Sequence, residues 1–162
     1  MFTAIQKKAL WILNLVLEIM LGALVLDVLL GVFSRYVFGS QVAWTEELSV
    51  VLLIWVSFLG IASAFAEKAH LGLDIITMNM EPKSRRFVQC FAHLVTIVFV
   101  AIVFVSGGIH EVANSITYLN ILPALQVPDV IRVVPLPVSG IFILLFEFYH
   151  LKNAFCGKEA AK

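Results

Sequence analysis

Glu18 is the residue whose type and position most invite chemistry. It lies about nine residues into a long apolar run, roughly 13 Å deep if that run is a membrane helix rising ~1.5 Å per residue. Asn14 stands one turn earlier on the same face. His93 enters another apolar run from the same side and reaches comparable depth. A carboxyl group there is costly and is expected to face protein or water rather than lipid. Its functional reading is a proton or cation site. Its simpler reading is a polar contact between helices or with a partner chain, with His93 or Asn14 as the expected partner of Glu18. The simpler reading is preferred because Glu18 is read as the one deep acid, and a single carboxylate makes a thin ion site. Asp27 lies half a turn out of phase with Glu18, near the outer interface, where Arg35 or the acidic start of the next run is at hand. It is read as an interfacial residue that reaches water.

Other chemistries find less support. His93 and His110 suggest bis-histidine haem ligation, but 17 residues of helix hold them about 25 Å apart. His70 and His150 fall near the inner interface. No cofactor is expected, and no metal site, since the histidines and the two cysteines, Cys90 and Cys156, show no ligand spacing. Ser57, Ser63 and Ser139 have no His or acid at helical spacing to activate them, so no enzyme is expected. Ser57, Gly60 and Ala64 repeat small residues about every fourth position, which lets another backbone come close, within the chain or from a partner. Trp44, Leu48, Val51 and Trp55 share one face at helical spacing.

The elements that position these residues are set by composition. Of 162 residues, 61% are hydrophobic and 14% charged. A soluble domain is about half apolar and about a quarter charged. Too few polar residues exist to cover a water-facing surface. Eleven basic and eleven acidic residues cancel, so no positive field draws nucleic acid.

Apolar runs near residues 9–33, 48–66, 87–106 and 133–151 are each long enough to cross ~30 Å of hydrocarbon. The chain is therefore expected to be all-α: one integral membrane bundle of four helices spanning residues 1–162, without internal repeats. Lys7 and Lys8 before the first run resemble a signal peptide. That run is too long, carries Glu18 and Asp27, and has no convincing cleavage site, so it is expected to remain as a membrane helix. Pro135 and Pro137 fall in the first turn of the fourth span, where a missing backbone donor costs least.

Basic residues orient the bundle. Lys7, Lys8, Lys68, Lys83, Arg85, Arg86, Lys152, Lys158 and Lys162 fall on one side, against Arg35 and Arg132 on the other. Cytoplasmic loops accumulate Lys and Arg, which predicts both termini inside. Trp11, Tyr36, Trp44 and Tyr149 fall near span ends, where aromatic belts sit. Thr45 is expected to cap the second helix, with Glu46 and Glu47 favouring its positive end. The inner loop, residues 67–86, is read as a short helix on the membrane surface. The outer segment, residues 109–132, carries Pro123 and Pro128 and is expected to cap the bundle's outer mouth.

The run Arg35-Tyr36-Val37-Phe38-Gly39, followed by Trp44-Thr45-Glu46-Glu47-Leu48, resembles the first-loop signature of a known family. That family is the DctQ-type small membrane subunit of tripartite ATP-independent periplasmic (TRAP) transporters. Ala66-Glu67-Lys68-Ala69-His70, then Asp74, is similar to its basic-x-x-His stretch and following acid. Pro123, Pro128 and Pro135 match its pattern before the last span. The resemblance runs through nearly the whole chain in order. It departs at Lys68, where Arg is more usual; Lys keeps the charge but not the bidentate geometry.

The resemblance implies a scaffold subunit in the bacterial inner membrane. Its partners would be a large multi-span membrane subunit and a periplasmic substrate-binding protein. The assembly would be a sodium-driven symporter importing an organic acid, such as a dicarboxylate or a sialic acid. Arg35, Trp44, Glu46 and Glu47 would then lie at the outer surface near those partners, and Lys68, His70 and Asp74 at the inner one. Two other readings compete. One is an autonomous four-helix transporter coupled to protons through Glu18; the other is a haem-bearing membrane anchor.

Overall fold

A computed structural model of the chain describes residues 4–40, 42–66 and 82–155. The described residues are almost wholly helical and form no strand longer than an isolated bridge. Four helices are long and apolar enough to cross a membrane.

Helix α1 runs over Ala4–Phe38. Gly39 ends it with a φ of +70°, a left-handed conformation that costs glycine little. Ser34 holds the corner: its hydroxyl donates to the Gly31 carbonyl at 2.9 Å and accepts from Val42 N at 3.4 Å. Helix α2 follows over Ala43–Ala66. Thr45 is not its cap. It sits inside the first turn, and its Oγ1 donates back to the Val42 carbonyl at 2.8 Å. A hydroxyl that donates to a carbonyl leaves the helix's free N–H groups unserved.

The third span begins at Pro82 as α3 (Pro82–Val100). It passes through a π-helical stretch, Ala101–Gly107, and continues as α4 (Gly108–Thr117). The helical span therefore runs on beyond residue 106, where the third apolar run was read to end. Both glycines hold right-handed helical angles. Gly108 instead makes room: an added Cβ would lie 2.7 Å from Pro137 Cδ. The π stretch meets Gly140 in the same way, since a Cβ there would stand 2.8 Å from Phe104 Cβ. The glycines are bare contact points between helices, which is how membrane helices come close.

After a compact turn, one short helix, α5 (Val130–Val133), leads into α6 (Pro135–Phe155). Trp55 Nε1 donates to the Ile131 carbonyl at 2.8 Å and pins α5 to α2. Pro135 is buried in the first turn of α6, as its missing N–H allows.

The spans do not pack in chain order. Helix α1 packs on α2, α2 on α6, and α6 on α3 and the π stretch. The buried core joins Leu13, Leu59, Ala62, Ala66, Val100, Ile143 and Phe146 across that line. Helix α1 contributes little else: its buried positions are Leu13, Asp27, Gly31 and Ser34, while the rest of its surface is open or only partly covered. Ser57 and Ala64 on α2 are exposed, and nothing lies within 4 Å of a Cβ added at Gly60. The small-residue stripe thus faces away from the chain's own packing.

Candidate functional site

The polar residues of the spans sort into three places. The first lies between α3 and α6. Glu147 is fully buried, and its Oε2 is 2.7 Å from His93 Nδ1. An ionised carboxylate only accepts, so in that form the imidazole Nδ1 carries the hydrogen. His150, one turn along α6, is buried as well and stacks on His93, with ring centroids 6.1 Å apart and planes 17° from parallel. Tyr149 meets His150 edge-on at 5.9 Å. Burying His93 and Glu147 in an apolar bundle is tolerable because they bond to one another. The cluster cross-links two spans and can hold a proton between an imidazole and a carboxyl. Its two imidazoles stack rather than converge, and among the described residues no group of three or more His, Cys, Asp or Glu is placed to hold a metal ion.

This arrangement corrects the expected pairing of Glu18. His93 is engaged with Glu147, and Asn14 accepts from Ser63 Oγ at 2.6 Å. Glu18 itself is exposed and points away from α2. The physical reason is phase: Leu13 and Leu17 set the face of α1 that meets the core, and Glu18 sits well round the helix from both. Nor is Glu18 the one deep acid. Glu147 is a second, inside the fourth apolar run, and reading the sequence alone passes over it. His150, read as interfacial, is buried beside it. The signal that could have found the pair is the spacing Glu147–His150, an acid and an imidazole one turn apart in an otherwise apolar span.

The second place is the α1–α2 contact nearer the corner that joins the two helices. Asp27 is only 4% exposed, and Ser49 Oγ donates to its Oδ2. The reading of Asp27 as a water-reaching interfacial residue is therefore corrected: its side chain turns into α2, where a hydroxyl meets it.

The third place is the end of the bundle where α2 begins. Residues 120–129 fold into a tight turn, with Leu122 N donating to the Val127 carbonyl at 2.9 Å and Asp129 N to the Asn120 carbonyl at 2.8 Å. Leu119 and Gln126 take left-handed angles to close it. The Glu47 carboxylate accepts from Ala124 N at 3.0 Å and Leu125 N at 2.9 Å, latching the turn onto α2. Beside it, Glu46, Asn120, Asp129 and Arg132 line an open cavity of about 400 Å3. Asp129 pairs with Arg132 one turn away. Trp44 is 42% exposed at the start of α2, and Arg35 is exposed in the last turn of α1. The structure thus gathers Glu46 and Glu47 at one mouth of the bundle and leaves Arg35 and Trp44 open beside the α1–α2 corner. Lys68, His70 and Asp74, together with most of the expected surface helix, lie outside the described residues.

Hydrogen bonds to a charged group contribute about 1.5–3 kcal/mol, less where water competes. Replacing Glu47 with alanine is therefore expected to loosen the turn without unfolding the spans. Amide hydrogen exchange at residues 122–127 is expected to speed up roughly tenfold or more, with α2 and α6 unchanged. Unchanged protection at Ala124 and Leu125 would show that the carboxylate does not hold the turn.

Comparison with known proteins adds an independent observation. The family model described as "Tripartite ATP-independent periplasmic transporters, DctQ component" matches residues 24–157. The chain is 30% identical over 145 residues to the sialic acid TRAP transporter permease protein SiaT of Haemophilus influenzae, a match covering 89% of this chain and 22% of that protein. It is 31% identical over 131 residues to a protein of the same species named as a TRAP transporter small permease, covering 77% and 78%. It is 22% identical over 121 residues to the C4-dicarboxylate TRAP transporter small permease protein DctQ of Rhodobacter capsulatus, covering 72% and 51%. The chain thus spans about a fifth of SiaT and most of the small permease.

Proposed function

Because the chain belongs to the DctQ-component family of tripartite ATP-independent periplasmic transporters, we propose that it is the rigid small membrane subunit that braces a large multi-span subunit. The pair would lie in the bacterial inner membrane with both termini of this chain inside, as the distribution of basic residues suggests. It would import an organic acid, driven by sodium and handed over by a periplasmic binding protein. Sialic acid and C4-dicarboxylates are the substrates named for similar proteins.

The observation that carries this reading is the openness of α1. Outside the few positions it gives to α2, the helix presents aliphatic and aromatic side chains outward along its whole length, from Trp11 to Phe38. A scaffold needs such a face, whereas a self-contained carrier would use α1 to enclose a path. The polar groups of the spans also fit bracing, since His93–Glu147 and Asn14–Ser63 each tie one helix to another. The match to SiaT, a protein several times longer, fits a small component working beside a larger one. As a small permease the chain has no enzymatic step to perform. At the outer mouth, Glu46 and Trp44 stand where a periplasmic partner would reach them, and Glu47 supports that mouth from beneath.

The test is to tag the chain and purify it in mild detergent from its native membranes. A much larger multi-span protein is expected to come with it in fixed ratio. Recovery of the chain alone, as a stable oligomer that takes up substrate in vesicles, would overturn the proposal in favour of an autonomous transporter.

A further inference from the structure

Glu18 is exposed on α1, between the half-buried Leu17, which packs at the edge of the core, and the outward-facing Ile19. It lies eleven residues beyond Lys7 and twenty before Phe38, so about 15 Å of helix separates it from the inner basic pair and about 30 Å from the outer end. No hydrogen-bond partner for it stands among the described residues. Its face is defined by spacing. Trp11, Glu18, Gly22 and Leu29 follow at intervals of seven, four and seven, which keeps them on one stripe. Asp27, turned into α2, lies half a turn out of phase with Glu18 and so marks the opposite side.

Two further features lie on the same stripe. Gly22, one turn above Glu18, has nothing within 4 Å of where a Cβ would stand, so the backbone is bare there. Above it, Leu26, Leu29, Leu30, Phe33 and Tyr36 bound a shallow apolar groove of about 500 Å3. Lipid can cover the groove, but lipid tails offer a carboxyl group no donor. A notch beside a carboxyl group is instead the pattern by which one membrane helix receives another, with close backbones at the small residue and a polar contact beside it.

We infer that this stripe of α1 is covered by one transmembrane helix of the large subunit, which crosses closest at Gly22 and presents a basic side chain, Lys or Arg, level with Glu18. This rests on the scaffold reading and deepens it, by choosing one face of one helix and the chemistry of what docks there. Charge complementarity selects the basic residue, because an exposed acid at that depth is stabilised by a cation at its own level. Asn14, one turn before Glu18, is already engaged by Ser63, whereas Glu18 and Gly22 are open and can serve a partner without weakening the bundle.

The test uses the full chain in its native membranes. Glu18→Lys and Gly22→Leu are each expected to lower the amount of large subunit recovered tenfold or more. Both are expected to leave the isolated chain's elution and thermal midpoint unchanged, because neither position packs on its own bundle. A photo-reactive amino acid at position 22 is expected to join the chain to the large subunit. If wild-type chain recovers no large subunit, the scaffold reading itself fails. If wild-type recovers it while both variants do too, the inference fails and the scaffold reading stands. Photo-crosslinks only to lipid, or only to a second copy of the chain, would likewise overturn the inference.

Discussion

Replacing Glu147 with alanine is expected to destabilise this membrane protein by about 3–5 kcal/mol, from the lost buried hydrogen bond to His93 together with the cavity left by the removed side chain. The side chain has no exposure, while that of His93 is 15% exposed, so the imidazole left behind cannot simply turn to water. Truncation also empties space beside Phe146 and His150, which are themselves fully or almost fully buried. In mild detergent the heat-induced loss of the monodisperse species should shift down by roughly 10 °C or more. Glu147→Gln keeps an acceptor of the same size and should lose about 1–3 kcal/mol. The double change His93→Leu with Glu147→Leu should cost less than Glu147→Ala, since it removes both polar groups and keeps the volume. A midpoint for Glu147→Ala within about 2 °C of the parent would mean that the contact between α3 and α6 rests on shape alone.

The second large effect is expected from a much smaller atom. Gly140→Ala adds one methyl group, and that methyl would stand 2.8 Å from Phe104 Cβ, 3.1 Å from Val105 Cγ2 and 3.4 Å from the Phe104 carbonyl carbon. A Cβ and a carbonyl carbon cannot swing aside as the tip of a long side chain can. Either α6 backs away from the π stretch or the π stretch deforms, at about 1–3 kcal/mol for overpacking. Alanine's helical advantage over glycine, about 1 kcal/mol, offsets only part of this. Gly140→Leu should be worse and should separate the two helices. Gly60→Ala is the matched control. It makes the same chemical change where nothing lies within 4 Å, and should be neutral or slightly stabilising. Thermal midpoints of the two alanine variants, measured side by side, are expected to differ, with that of Gly140→Ala the lower. A Gly140→Ala midpoint at or above that of Gly60→Ala would show that the close approach is not a constraint.

These two positions also show what the sequence could and could not reveal. The existence of four spans was legible, because a run of some twenty apolar residues is long enough to cross a bilayer and too apolar to face water. The family signature was legible too, since the residues from Arg35 to Leu48 carry it in a continuous stretch. The end of the third span was not. Gly107 and Gly108 look like a stop when read locally, and only the proximity of Pro137 shows that Gly108 is a gap left for a neighbour. The partner of His93 was hidden for a related reason. Helical phase tells which residues share a face, but not which helix that face meets. His93 and Glu147 are 54 positions apart, and their meeting depends on α6 lying against α3. Glu18 erred in the other direction. Its cost in lipid predicted a partner inside the chain, whereas the structure leaves it on the outside. The role of Glu47 as a latch was hidden as well, because it depends on backbone N–H groups of a turn whose shape no spacing rule predicts.

The packing order of the spans bears on how the protein is built. Helices α1 and α2 meet as a hairpin of near neighbours and can pair as soon as both have left the ribosome. Helix α3 has no such early companion, because the surface it packs on belongs to α6, which is synthesised last. Until α6 arrives, His93 must wait in the bilayer without Glu147, and Gly108 without Pro137. The final span is thus wedged between two pieces already in place, and assembly is governed by the arrival of the C-terminal helix.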